Sequence, residues 1–472
     1  MKAQYFAEKF RVAGASLAIL AISSLVSAQD QPMSEMPTPG TATSAQGTGT
    51  SLSGLTLADL EQMALSSNPT LAQAASEIRA AAARKSQSGF YPNPSAGYEG
   101  EQIRGGIQGG GEQGFFVSQD IVLGGKLALN RNIFEQEKKQ AEAEGEEQRL
   151  RVINSVRIFY YQALAAQEMV DLRHKLAHLA QDAVDTSHQL ANVGQADQPD
   201  VLQAEVESEQ AELALVVAEQ NQMRVWRQLT ATVGRTEMPL TNLAGNLDIL
   251  PEDNPAQWLQ TILQDSPAVK IAQLGVLKAE AALARAKREP IPNLQLRGGL
   301  EENLEPEPIT NRTIGLQGFA EVGVQIPVFN RNQGNIGAAK ADVERARQEV
   351  QRVQLVLQER AAILLQNYVT SRSAVEAYRD RMIPHARKAY ELYLKSYRGM
   401  AAAYPQVLIA QRTLFQLQTD YITALNNLWG NSIALKGFLL TDGLEAPSHA
   451  GEMNRPVREI NLPSSTNALP PL

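Results

Sequence analysis

The chain has 472 residues, a formal net charge of -8 and a hydrophobic content of 43%. The acidic balance offers no basic face for nucleic acid, and the absence of cysteine excludes disulfides, thiolate metal ligands and a lipid-modified N-terminal cysteine. Aromatic residues make up only 6% of the chain, which suits long helices packed through small side chains.

At the N-terminus Lys2, Lys9 and Arg11 precede an apolar stretch from Val12 to Val26, and Val26-Ser27-Ala28 supplies small residues before Gln29. This layout predicts a secretory signal peptide over residues 1–28. Its apolar core of about 15 residues is short of the roughly 20 that a spanning helix needs. Residues 29–54, rich in Pro, Gly, Ser, Thr and Gln, read as a flexible leader. Thr56 caps a predicted helix from Leu57 to Leu65 that stops before Asn68-Pro69. An alanine-rich helix follows from Pro69 to Arg84, ended by Gly89 and Tyr91-Pro92-Asn93-Pro94. Weak strand patterns cover Ser95–Ile103 and Gly114–Ile121, joined by the glycine-rich stretch Arg104–Gln113. From Lys126 to Asn192 there is no proline and one glycine, Gly145, and apolar residues such as Leu150, Ile153, Val156 and Tyr160 recur at helical spacing. Such a helix would be about 100 Å long, which implies a coiled coil or a helical tube. Gly194 to Gln198 forms a turn, and Pro199 opens a return helix to about Val233.

The same plan then recurs. Pro267 stands 198 residues after Pro69, Gln325-Ile326-Pro327-Val328-Phe329 repeats Gln119-Asp120-Ile121-Val122-Leu123, and Pro405 stands 206 residues after Pro199. The second pair of strands is clearer. Leu294, Leu296 and Leu300 alternate with Gln295, Arg297 and Glu301, and Ile314, Leu316, Ala320, Val322 and Val324 alternate with Thr313, Gln317 and Glu321. The second hairpin runs from about Asn335 to Tyr397, where Pro384 is expected to kink or break it. It turns at Gly399–Tyr404 and returns from Pro405 to Leu439. Residues 443–472 read as a disordered tail. The organisation is therefore a duplication: a first repeat over 55–250, with strands at about 93–123 and a hairpin at 126–233, and a second over 251–442, with strands at about 293–329 and a hairpin at 335–439. The fold class is mainly α with a membrane β-barrel contribution. One chain carries four candidate membrane strands, fewer than the eight of the smallest known barrels. Open sheet edges are not tolerated in lipid, so the membrane reading requires several chains.

In this plan the chain resembles the TolC family of outer-membrane efflux proteins. The resemblance is carried by Asn68-Pro69, Gln119–Leu123, Asn192-Val193-Gly194 with Pro199-Asp200-Val201-Leu202, and the second copies at Ser266-Pro267, Gln325–Phe329, Arg398-Gly399 and Val407-Leu408. It extends over about residues 55–440. It implies a homotrimer in the outer membrane of a Gram-negative-type bacterium: a 12-stranded barrel surrounded by outer-membrane lipid, continued by a long helical periplasmic tunnel. The implied partners are a periplasmic adaptor protein and an inner-membrane pump, and the implied cargo is metal cations or drugs. The tip from Gly194 to Glu205 is similar to the heavy-metal (CzcC/CusC-like) branch.

The hairpin tips hold the candidate functional residues. In the resembled family acids near the tips ring the tunnel entrance, which makes Asp197 and Asp200 gating candidates; the plainer reading of Asp200 is a first-turn acid favoured by the helix dipole. At the second tip Gln406 and Ile409 stand where relatives commonly carry acids. Gly194 and Gly399 permit left-handed turns. Val201, Leu202, Val407 and Leu408 either meet the adaptor or pack the two arms together. His174 and His178, four apart on a helix with Asp171 one turn earlier, have a spacing that can hold zinc but more often marks a solvated face. The glycines at 105–114 and Gly124-Gly125-Lys126 lack the ending of a phosphate loop. No nucleophile elbow or paired catalytic carboxylates are present, so no enzyme activity and no cofactor are expected. The alternative reading, a soluble periplasmic coiled-coil adaptor or scaffold, does not account for two hairpins and two pairs of alternating strands.

Overall fold

The computed structural model of the protein describes residues 54–103, 111–194, 197–251, 254–307, 309, 312–398 and 404–446. The expected signal peptide, the leader up to residue 53, the connection at 104–110, Gly399 and the segment from 447 onward lie outside the described residues.

The first repeat opens with α1 (Leu57–Ser67), started by a capping box: the Thr56 hydroxyl accepts from the Asp59 N–H at 3.3 Å, and the Thr56 N–H donates to Asp59 at 3.1 Å. Asn68 ends α1 and caps α2 (Pro69–Gln87), accepting the Thr70 N–H at 2.9 Å. Strands β1 (Ser95–Glu101) and β2 (Glu112–Ile121) follow. Helix α3 (Lys126–Asn192) has the bounds expected from its lack of proline, and α4 (Gln198–Val233) returns beside it, with Pro199 second in the helix rather than first. The second repeat has the same order: α5 (Pro255–Asp265), α6 (Pro267–Arg288), β3 (Leu294–Pro306), β4 (Thr313–Val324), a long arm from Gln333, and α9 (Tyr404–Lys436).

The long arm is irregular at Pro384, as expected, but it does not break. It runs as α7 (Gln333–Ala377), one π-helical turn (Tyr378–Met382) and α8 (Ile383–Arg398), with no break at the proline. Proline lacks the N–H that an α-helix would direct at the carbonyl four residues earlier, and its ring crowds that carbonyl. The π turn widens the backbone just before it, with the Ile383 N–H reaching Tyr378 five residues back, and the helix continues.

The four strands form one antiparallel sheet in chain order, β1-β2-β3-β4, which leaves β1 and β4 as edges. The main core lies where both hairpins meet the short helices: Leu60, Val156, Tyr160, Trp226, Leu229, Ile262, Tyr368 and Leu425 are buried in one cluster. Alanines such as Ala141, Ala143, Ala163, Ala165 and Ala166 are buried along α3, so small residues let the helices approach closely. A polar stripe, Gln136, Gln140, Glu144 and Gln148, is also buried on α3 at four-residue spacing. Gln148 donates to Thr70 at 2.9 Å, and Gln140 donates to the Ile271 carbonyl at 3.3 Å. The start of the expected tail is held here too: the Gly443 N–H donates to the Ser155 hydroxyl at 2.8 Å, and Arg151 reaches Glu445 at 2.9 Å.

Candidate functional site

The sheet is inside out by the standard of a soluble protein. Register places Tyr98 beside Phe115, Phe115 beside Leu300, Leu296 beside Val322 and Leu294 beside Val324, so these residues share one face. That apolar face is the exposed one: Phe115 is 70% exposed, Leu316 74% and Val322 69%. The opposite face is polar and half-buried, with Gln317 and Phe319 less accessible than their apolar neighbours in β4. Water would impose the reverse arrangement; hydrocarbon outside and water inside impose this one. Among the described residues no helix is long and apolar enough to cross a membrane.

On the polar face Gly97, Phe116, Gly299 and Phe319 stand in one row across the four strands. A Cβ on Gly97 would lie 2.7 Å from the Phe116 ring, and one on Gly299 would lie 2.7 Å from the Phe319 ring. The outer end of each ring therefore reaches over a glycine, where any side chain would block it. Arg297, one row away, sits 4.4 Å from the centre of the Phe116 ring and 5.6 Å from that of Phe319. It pairs with Glu99 on β1 and with Glu321 on β4, the latter at 3.7 Å.

At the other end of the helices, α3 closes on Gly194, which takes a left-handed φ of 72° and donates its N–H to Ala191 at 3.0 Å. Nothing lies within 4 Å of where its Cβ would be, so backbone conformation alone favours glycine there. Asp197 is the residue before α4; its carbonyl accepts from the Asp200 N–H at 3.0 Å, while its side chain makes no capping bond. Asp197 and Asp200 are both exposed. Val201 and Val407 are buried at 3% and 2%, packed between the arms, whereas Leu202 is 52% exposed and Leu408 half-buried. Gln406 is exposed in the first turn of α9, and Ile409 is 63% exposed. The two hairpins are joined near these tips by Arg412 Nη2 on α9 and Glu207 Oε1 on α4 at 2.5 Å. Sequence reading did not find this pair or the Arg297 cluster, because the partners are far apart along the chain and sit in ordinary charged patterns. His178 pairs with Asp182 at 3.1 Å, and His174 lines a shallow groove with Lys175, Leu414 and Phe415. Among the described residues no group of three or more His, Asp or Glu is placed to hold a metal ion.

A duplicated chain with paired helical hairpins and a sheet that is apolar outside and polar inside defines an outer-membrane channel protein. The model of the outer membrane efflux protein family matches residues 60–235 and 258–439, and the chain belongs to that family. It is 26% identical over 400 residues to the cobalt-zinc-cadmium resistance protein CzcC of Cupriavidus metallidurans, covering 83% of this chain and 93% of that one. Among solved structures it is similar to the outer-membrane channel OprN, with a TM-score of 0.67 at 18% identity, covering 82% of this chain and 91% of that chain. It is also similar to CusC, with a TM-score of 0.62 at 16% identity, covering 88% and 99%. Family membership places the chain in the outer membrane and sets aside the soluble periplasmic scaffold.

Proposed function

We propose that three copies of this chain form the exit duct of a tripartite efflux system. Each copy contributes its four strands to a shared 12-stranded barrel and its two hairpins to a periplasmic tunnel. The observation that carries this reading is the inside-out sheet with two open edges: β1 and β4 need partners in lipid, and a second and third copy supply them. The two repeats span 55–250 and 251–442, and residues 1–28 are removed as a signal peptide before assembly. A periplasmic adaptor engages the hairpin tips and an inner-membrane pump supplies the energy, so the duct itself is passive. Metal cations are the favoured cargo class, on the likeness to a cobalt-zinc-cadmium resistance protein.

At the tips, Asp197, Asp200 and Gln406 line the entrance, Gly194 makes the first turn, and Leu202 and Leu408 present apolar surface to the adaptor. Val201 and Val407 hold the arms together instead, because burial leaves them unable to reach a partner. The test is the mass of the detergent-extracted protein from isolated outer membranes, by light scattering corrected for detergent. Three chains per particle are expected. A monomer or dimer would refute the shared barrel.

A further inference from the structure

The polar face of the sheet is unequally charged. Register places Glu99, Glu101, Glu112, Asp120, Glu301 and Glu321 on it. Among the described residues of the four strands, Arg297 is the one cation. Its surroundings are built rather than incidental. It reaches across β2 to Glu99, lies over the Phe116 ring at 4.4 Å, and faces Glu321 on the other edge strand. The glycines beside Phe116 and Phe319 let both rings fold over the strands, and the guanidinium rests against them with its charge held at one level.

We propose that Arg297 is the specificity-determining residue of the strand-built part of the duct: it limits, at its own level, the cation-attracting field of the surrounding carboxylates. This rests on the duct reading above, which makes the polar face a water-filled lining. In that setting the wall favours small hydrated cations over anions. Three copies of Arg297 moderate the preference at that level, so a cation passing it meets a charge that offsets Glu99 and Glu321. The aromatic rings keep the guanidinium from swinging across the lumen, and Glu99 and Glu321 keep it from acting as a free anion site.

The absence of cysteine makes the test clean. Ser118 shares a row with Arg297 on the polar face, and Val117 lies on the apolar face. Ser118→Cys and Val117→Cys are introduced separately, and labelling by externally added cationic and anionic methanethiosulfonates of the same scaffold is timed on intact cells. With Ser118→Cys the cationic reagent should react faster. Adding Arg297→Met should raise the cation-to-anion rate ratio roughly fivefold, as expected for loss of one nearby charge per chain in screened water. Adding Glu321→Gln instead should lower the ratio; this position is more exposed and provides a variant that folds if Arg297→Met does not. A ratio unchanged by Arg297→Met, or one that rises with Glu321→Gln, overturns the proposal. A different outcome, with Val117→Cys reacting as fast as Ser118→Cys or faster, overturns the duct reading itself and this inference with it.

Discussion

Glu144 offers a pH-dependent test of how the helices pack. It is 6% exposed on α3, and its Oε2 is buried without a hydrogen-bond partner. Burial pushes its carboxyl up from 4.5 to about 8, reinforced by Glu147 and Glu137 on the same helix and by Glu77 on α2, and opposed by Lys278 on α6. The nearby cations are engaged elsewhere: Lys278 and Arg84 both bind Glu137, and Arg151 binds Glu147. The folded chain thus holds the proton that the unfolded chain releases. Stability from the neutral form is complete below pH 4.5 and is lost as pH rises towards about 8. At about 1.4 kcal/mol per pKa unit, this one group costs the folded state on the order of 3 kcal/mol between pH 4 and pH 7. Glu144→Gln keeps the shape and cannot ionise. It should raise the thermal unfolding temperature of the detergent-solubilised protein, followed by far-UV circular dichroism, at pH 7 and leave it unchanged at pH 4. An equal shift at both pH values, or destabilisation at pH 7, would refute the reasoning.

Two further outcomes follow from burial and pairing. Leu425→Ala, at a position with 0% exposure inside the main core, should cost about 2–5 kcal/mol and lower the unfolding temperature, whereas Leu202→Ala at the exposed tip should stay within about 0.5 kcal/mol. Arg412→Gln removes the ion pair that joins the hairpins near their tips. A partly exposed pair of this kind contributes up to about 1 kcal/mol, so the population of separated tips, read as open-state occupancy in planar bilayers, should rise by up to about fivefold; an unchanged occupancy would assign the pair no role in holding the tips.

What could be read in advance was what depends on local chemistry. Helix α3 was legible from Lys126 to Asn192 because nothing in that stretch removes a backbone donor, and β4 was legible because its polar residues alternate cleanly with apolar ones. Strand β1 read weakly because Gly97 and Gly100 dilute the alternation; Gly97 is there for the Phe116 ring lying on it, a reason that exists only once β2 is paired beside it. Pro384 marked the right place without fixing the form: a missing donor is a local fact, and the helix answers it with a π turn over Tyr378–Met382 rather than a break. The polar stripe on α3 shows the limit most sharply. Gln136, Gln140, Glu144 and Gln148 at four-residue spacing look like a solvated face, and the docking of α2, α6 and the segment at 443–445 turns them inward. The duplication supplies both of those helices, one from each repeat. A periodicity taken one helix at a time therefore assigns the stripe to water, whereas the repeat considered as a whole requires something to be covered where α2 and α6 come down. The cost falls on Glu144, whose charge the covered position cannot accommodate at neutral pH.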